Sequence, residues 1–242
     1  MKFTRLLFVL LFCSLLQACG TSGKAVSYDW NTSTDPLEGL NRSVYAFNDT
    51  ADKLVLRPVA SGYDKVLPAP AKKGVSNFFS NLNEPWSALN NVLQGKFDRA
   101  LGSTYRFAVN STVGLLGLID VAKYQGVDRA PEDLGQTLAT WGVKPGAYLM
   151  LPILGPTNVR DGFGDVVSRI LFRPLGEITD SGATELALTT TSAISDRAGL
   201  LGVDSVLDNQ LDPYLFIKTT VENSRTDAIN DGNGNLEDEF NF

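Results

Sequence analysis

Apolar residues recur at helical spacing along most of this chain. Leu37, Leu40, Val44, Phe47, Ala51 and Leu54 lie three or four positions apart, one stripe on one helix. Asp35 is placed as its N-cap, Pro36 suits the first helical position, and Glu38 stands where its carboxylate would reach back to the cap amide. Arg57-Pro58 is expected to end it, because proline lacks an amide and crowds the preceding turn. Pro68 and Pro70 bracket a turn; Val75, Phe78, Phe79 and Leu82 then form a second stripe. After Pro85, Trp86, Leu89, Val92 and Leu93 form a third, closing near Gly95, and a fourth helix is expected from Phe97 to about Asn110.

The middle departs from this pattern. "VGLLGLIDVA" (113–122) is apolar but broken by glycine, and glycine and proline recur from Gly135 to Gly164. Neither segment has the ~20 unbroken apolar residues of a membrane span, and neither alternates as a strand does. Two readings stay open: loops covering a core, or backbone that enters lipid only where protein or a cavity satisfies its polar groups. Helical spacing returns at Phe163, Val166, Val167, Ile170 and Leu171 and stops at Pro174. A small-residue helix across Ala183 to Arg197 and a more polar one opening at Asp212-Pro213 complete the pattern. Together these elements read as one mostly α-helical domain, residues 35–230. Such stripes ordinarily mark buried faces, so periodicity alone favours a tethered water-soluble bundle over a membrane-embedded one.

Composition narrows the chemistry more than the fold. With 242 residues, 43% of them hydrophobic, the chain is long enough to fold on its own. A net charge of −6 argues against a nucleic-acid partner and against simple adhesion to anionic lipid. Histidine is absent, which removes Ser-His-Asp and Cys-His machinery and the commonest catalytic metal sites. Paired carboxylates remain a route to hydrolysis. Glu38, however, reads as a capping residue, and Glu132-Asp133 after Pro131 as the acidic first turn of a helix, so no enzyme is expected.

The two cysteines fall at the N-terminus. Lys2 and Arg5 followed by apolar Leu6–Leu16 read as a signal peptide, residues 1–18, in which Cys13 would be discarded. "LQAC" (16–19) resembles a bacterial lipobox, so Cys19 is expected to carry covalent diacylglyceryl and N-acyl lipid, with no other cofactor. Several acyl chains at ~0.8 kcal/mol per buried CH₂ make a durable anchor. Cleavage removes two cations and no acid, taking the charge from −6 to −8. Gly20 follows the cysteine in place of the aspartate of an inner-membrane retention signal, so the outer membrane is the expected address. Residues 19–34 are small and polar, a lipidated tether. "GTSGKA" fails as a phosphate loop because Ala18 and Ala25 replace the required Gly and Ser/Thr. The acidic tail, 231–242, reads as flexible; it fails as a calcium loop because Leu236 and Phe242 replace the required Gly and Glu.

Four further stretches carry a specific resemblance: "DPLEGLNRSVYAFN" (35–48), "NLNEPWSALNNVLQGK" (81–96), "EDLGQTLATWGVKPGAYLMLPILGPTNVRD" (132–161) and "DPY" (212–214). In this order, with the lipobox, the chain resembles the MlaA (VacJ) family of outer-membrane phospholipid-transport lipoproteins. Ala139 and Ala147 depart from the Gly and Pro usual there. The resemblance implies a ring- or disc-like single domain of amphipathic helices lying in the inner leaflet of the outer membrane around a central amphipathic channel. It implies removal of phospholipid from the outer leaflet, with a trimeric porin and a soluble periplasmic lipid carrier as partners. By the same resemblance the first helix borders the channel, with residues 113–155 forming an adjacent hairpin-like loop. Val44, Phe47, Asn48 and Asp49 place apolar and polar groups within about one turn and are the candidate channel and gating residues. The rival expectation is an envelope scaffold with no transport activity.

Overall fold

The structure, a computed structural model, describes residues 35–179 and 181–232. The signal segment, Cys19 with its tether, and residues 233–242 lie outside the described residues. The fold is mostly α-helical with one small sheet, as the periodicity predicts.

Helix α1 spans Glu38–Ala51 and does not end at Arg57-Pro58. A π-helical stretch, Asp52–Leu56, carries it directly into α2, Arg57–Val66. A mid-helix proline forfeits one backbone bond and crowds a carbonyl, and a wide π turn is where such a defect is accommodated. The continuation is also held from outside. Arg197 forks onto Asp52 at 2.7 and 2.8 Å, and Arg57 bonds Asp208 at 3.0 Å. The helix begins two residues later than the Asp35 cap predicts: Leu37 is its N-cap without a side-chain cap bond, and Asp35 takes the Leu37 amide at 3.1 Å in the turn before it. Glu38 does not reach back; Arg42, one turn on, captures its carboxylate at 2.7 Å.

Pro85 is likewise tolerated. Helix α3 runs Ala69–Leu93, 25 residues with Pro85 inside, so the expected second and third helices are one. An interior proline costs ~3 kcal/mol, and the bonds made by its neighbours offset it. Buried Glu84 takes a bond from Arg106 at 2.8 Å, and the Ser87 hydroxyl accepts the Glu132 amide at 3.3 Å. Helix α4, Phe97–Thr112, packs along α3.

The glycine-broken segment after α4 is a tight loop. Leu115, Leu116 and Gly117 take left-handed backbone with φ of 54°, 61° and 92°. At Gly117 a Cβ would come within 2.7 Å of the Asn81 side chain, so only glycine admits this approach. Short α5 (Val121–Tyr124) and α6 (Leu134–Thr140) follow, capped by Asp120 and Asp133. Glu132 sits before α6, not in its first turn, and bonds Gln94 and Lys96 at 2.8 and 2.9 Å.

Part of the stretch without strand alternation is a strand pair. β1 (Tyr148–Leu151) runs antiparallel to β2 (Gly155–Asn158), Tyr148 opposite Asn158 and Leu151 opposite Gly155. Strands of four residues containing Gly155 and Pro156 are too short to write an alternation. Asn158 then caps α7 (Val159–Leu171), accepting the Asp161 amide at 2.9 Å. Helices α8 (Pro174–Ile178), α9 (Gly182–Gly199), α10 (Asp204–Asp208) and α11 (Pro213–Ile229) complete the described chain.

Burial is inverted relative to a water-soluble bundle. The largest fully buried side chains among the described residues are Arg106, Asn41, Asn90, Asn91, Thr137 and Ser103. Of the buried apolar residues, Ala60, Ala100, Ala122 and Ala139 are alanines, with Leu138, Tyr148, Met150 and Tyr214 the larger ones. On α4 the buried stripe is Ala100, Ser103, Arg106 and Asn110, whereas Phe97 and Leu101 are 64% and 68% exposed. Facing it, α3 buries Asn81, Glu84, Ser87, Asn90 and Asn91 and exposes Leu89 and Val92. Most of the apolar stripe of α1 and its π-helical continuation, Val44 excepted, and that of α7 also point outward, with Leu40, Phe47, Leu54, Phe163, Val166 and Ile170 all more than half exposed. These stripes are real, but the expectation that they mark buried faces is corrected: the helices meet through polar residues. Arg106 organises that contact, bonding Glu84 at 2.8 Å, both oxygens of Asp120 at 2.9 and 2.8 Å and the Val127 carbonyl at 2.5 Å. No helix among the described residues is long and apolar enough to cross a membrane.

Candidate functional site

Two asparagines seven residues apart, hence on one face of α1, hold the β-hairpin. Asn41 takes the Met150 amide at 2.9 Å and donates to the Tyr148 carbonyl at 3.0 Å, substituting for a neighbouring strand along β1. Asn48 does the same at the turn, donating to the Leu151 carbonyl at 2.9 Å and accepting the Ile153 amide at 2.8 Å. Between them Val44 packs on Tyr148, Met150 and Tyr214 with Tyr45 and Ile217. Tyr214 stands edge-on to Tyr45 and Tyr148, its hydroxyl donating to Asp35.

The sequence-predicted residues therefore divide. Val44 and Asn48 meet the hairpin, Val44 as packing and Asn48 as the clamp on its turn. Phe47 is 54% exposed, on the outward face. Asp49 pairs with Lys53 at 2.9 Å along the helix surface. The clamped turn is itself apolar and outward: Ile153, held at φ 66°, is 75% exposed and Leu154 65%. The loop after α4 presents Leu115 and Leu116, 62% and 71% exposed, in the same way.

Behind the hairpin lies a charged cluster that periodicity did not mark. Arg225 of α11 bonds Asp133, the cap of α6, at 2.5 and 2.6 Å and Asp161 of α7 at 2.9 Å. Arg160 bonds Asp161 from the other side at 2.8 Å. Burial alone would raise the Asp133 and Asp161 carboxyls, but the Arg225 and Arg160 guanidiniums outweigh it and hold both below the usual range. Lys218 and Glu222, one turn apart on α11, pair at 3.1 Å, and the Lys218 ammonium stands 5.6 Å from the Tyr148 ring centre. The trace of this cluster in the sequence is the spacing of Lys218, Glu222 and Arg225 at four and three, a charged face on a helix otherwise read only as polar. Among the described residues no group of three or more His, Cys, Asp or Glu could hold a metal ion.

Comparison with known proteins bears directly on this arrangement. The profile of the MlaA lipoprotein family matches residues 33–228. The chain is 36% identical over 220 residues to the intermembrane phospholipid transport system lipoprotein MlaA of Escherichia coli K12, covering 88% of this chain and 84% of that one. To the protein of the same name from Haemophilus influenzae it is 31% identical over 228 residues, 92% and 91% of the two chains. An uncharacterized protein of Rickettsia felis is 38% identical over 196 residues, 81% and 78%. A solved structure described as the "structural basis for maintenance of bacterial outer membrane lipid asymmetry" superposes with a TM-score of 0.73 at 35% identity, over 81% of this chain and all of that one. With the family profile spanning the whole helical domain and the fold shared, this chain belongs to the MlaA lipoprotein family.

Proposed function

We propose that this protein is an outer-membrane lipoprotein of a phospholipid-transport system. It draws mislocalised phospholipid from the outer leaflet and passes it to a soluble periplasmic carrier, keeping the membrane asymmetric. The observation that carries the reading is the inverted burial: Arg106 and Asn90 inside, Leu101 and Leu116 outside. In water each exposed large aliphatic side chain forgoes ~1.5–3 kcal/mol of burial. In hydrocarbon that cost vanishes, and helices without a hydrophobic reason to associate are held by polar bonds between them. A helix with its side chains is ~10 Å across, so a ring- or disc-like layer of such helices fits within one leaflet around a central channel. Cys19 would anchor the layer from the periplasmic side, and a trimeric porin would seat it.

In this reading no covalent step occurs. A charged headgroup needs polar shelter while its tails stay against apolar walls. The α1–hairpin contact offers both, with Asn48 as the clamp whose release would let the Ile153–Leu154 turn move, and with Val44, Phe47 and Asp49 beside it. The porin, the carrier, the headgroup-bearing channel and this gating role are supported by family and by chemistry.

The test is transfer of labelled phospholipid from a proteoliposome holding the protein and its porin to an acceptor. Net transfer is expected, and Asn48→Ala with Asp49→Ala should change its rate severalfold. An envelope scaffold, the rival reading, would transfer nothing above the porin alone. Unchanged outer-leaflet phospholipid in cells carrying the two alanines would remove the gating role.

A further inference from the structure

Two faces of one continuous helix are fixed independently. On α1, Asn41 and Asn48 bond the hairpin. On α2, Ala60 is fully buried, and this helix packs along α9. An α-helix turns ~100° per residue, so the angle between two such faces is set by the number of residues per turn between them. The π stretch lies between the faces and changes that count. The Arg57 amide donates to the Asp52 carbonyl, five residues back instead of four. This turn holds one residue more than an α turn, so α2 is rotated against α1 by about one residue's worth.

Apolar packing gives the wide turn little support, since Leu54, Val55 and Leu56 are all exposed. What holds it is charge. Arg197 of α9 forks onto Asp52, the first residue of the turn, and also reaches Asp204, the first residue of α10, at 2.9 Å. Arg57, which closes the turn, meets Asp204 at 3.1 Å and Asp208 at 3.0 Å. Both ends of the turn are thus tied to one segment outside the helix. A guanidinium fork on a carboxylate fixes orientation as well as distance, and the Arg197 side chain is only 14% exposed. Pro58 gives a reason for some defect here, but not for this orientation of α1 against α2.

We propose that Arg197 and Asp52 are positioning residues for the hairpin. Their pairing keeps the extra residue in the helix, so that Asn41 and Asn48 face the hairpin while α2 packs on α9. Without the pairing the turn relaxes toward an α turn, and the face carrying the two asparagines rotates away from β1. Asn48, one turn before Asp52, meets that rotation first. The proposal rests on the gating reading only for its consequence on lipid movement.

The experiment compares the full lipidated protein in detergent with Arg197→Gln, Asp52→Asn and Pro58→Ala by amide hydrogen exchange resolved at single residues. The reporters are the Ile153 and Met150 amides, which bond Asn48 and Asn41. The Ala122 amide on α5, bonded to Asn110 at 3.0 Å, is the reference. Arg197→Gln and Asp52→Asn should each speed exchange at Ile153 about tenfold, the size of one lost hydrogen bond, and at Met150 less, with Ala122 unchanged. Pro58→Ala should leave all three as in the parent. Asp52→Asn keeps the side-chain shape and leaves Arg197 on Asp204, so it reads the pairing even where Arg197→Gln fails to fold. Unchanged exchange at Ile153 and Met150 in Asp52→Asn overturns the proposal. Equal acceleration at Ala122 overturns it too, because that is loss of stability alone. Faster exchange at Ile153 in Pro58→Ala would assign the register to the proline and overturn it as well. The lipid-transfer assay on the same variants tests the gating reading separately. A loosened hairpin with an unchanged transfer rate would remove the gating role of Asn48 and leave the positioning role of Arg197 and Asp52 standing.

Discussion

Arg106 shows at one residue how this interior works. It is 2% exposed, bonded to Glu84, Asp120 and a carbonyl, with Asn110 completing the ring through Asp120 at 3.0 Å. A buried ion pair contributes little over an apolar replacement, yet removing one partner strands the others. Arg106→Met should therefore cost about 3–5 kcal/mol, read as a melting temperature lower by ~10 °C in detergent. Adding Glu84→Gln and Asp120→Asn should restore part of it by removing the stranded charges. A single Arg106→Met protein that melts like the parent would mean that the network does not hold α3 to α4. Helical spacing places Arg106 on the same face as Ser103 and Asn110, so the polar stripe was legible. That it lies inward was not, because its partner Asp120 comes from a loop beyond the helix.

Between elements, Arg225 is the tie that joins α6, α7 and α11 through Asp133 and Asp161. Both carboxyls are held below their usual 3.8. A group whose pKa is lowered on folding stabilises fully above its unfolded value, and that contribution is lost as pH falls through the folded value. Asp165 and Glu222, raised from 3.8 and 4.5, act oppositely and gain on protonation. Thermal melting against pH should thus be flat or slightly rising from neutrality down to about pH 5, then fall steeply below about pH 4. Asp133→Asn should lower the plateau and blunt the acid limb. A parent whose stability falls steadily from pH 7 would contradict the assignment. Of these three helices the sequence shows α7 by its period, α6 by its acidic start and α11 by its Asp-Pro start. It does not show their junction, since Asp133 and Arg225 lie 92 residues apart.

For the whole molecule the decisive quantity is the medium the outer surface meets. Leu40, Leu101, Leu116, Ile153 and Phe163, on three helices and two loops, are all at least half exposed. Large apolar side chains exposed on this many elements, over a polar interior, are the pattern that marks a partner or membrane surface. Unlipidated Cys19→Ala protein should therefore still fractionate with membranes and need detergent for solubility. Recovery of that variant as a monodisperse species in plain buffer would refute the membrane placement.

The sequence alone determined the apolar periods of several helices, the cap at Asp212 and the family, because each is written in neighbouring residues. Tertiary structure decided the rest. Helical spacing says that a face is apolar without saying which way it turns, since its amplitude is the same toward a core or toward lipid. Pro58 and Pro85 read as stops until their helices' outside partners are present. A hairpin of four-residue strands is held by Asn41 and Asn48, which supply, from about a hundred residues away, bonds that a wider sheet would have made.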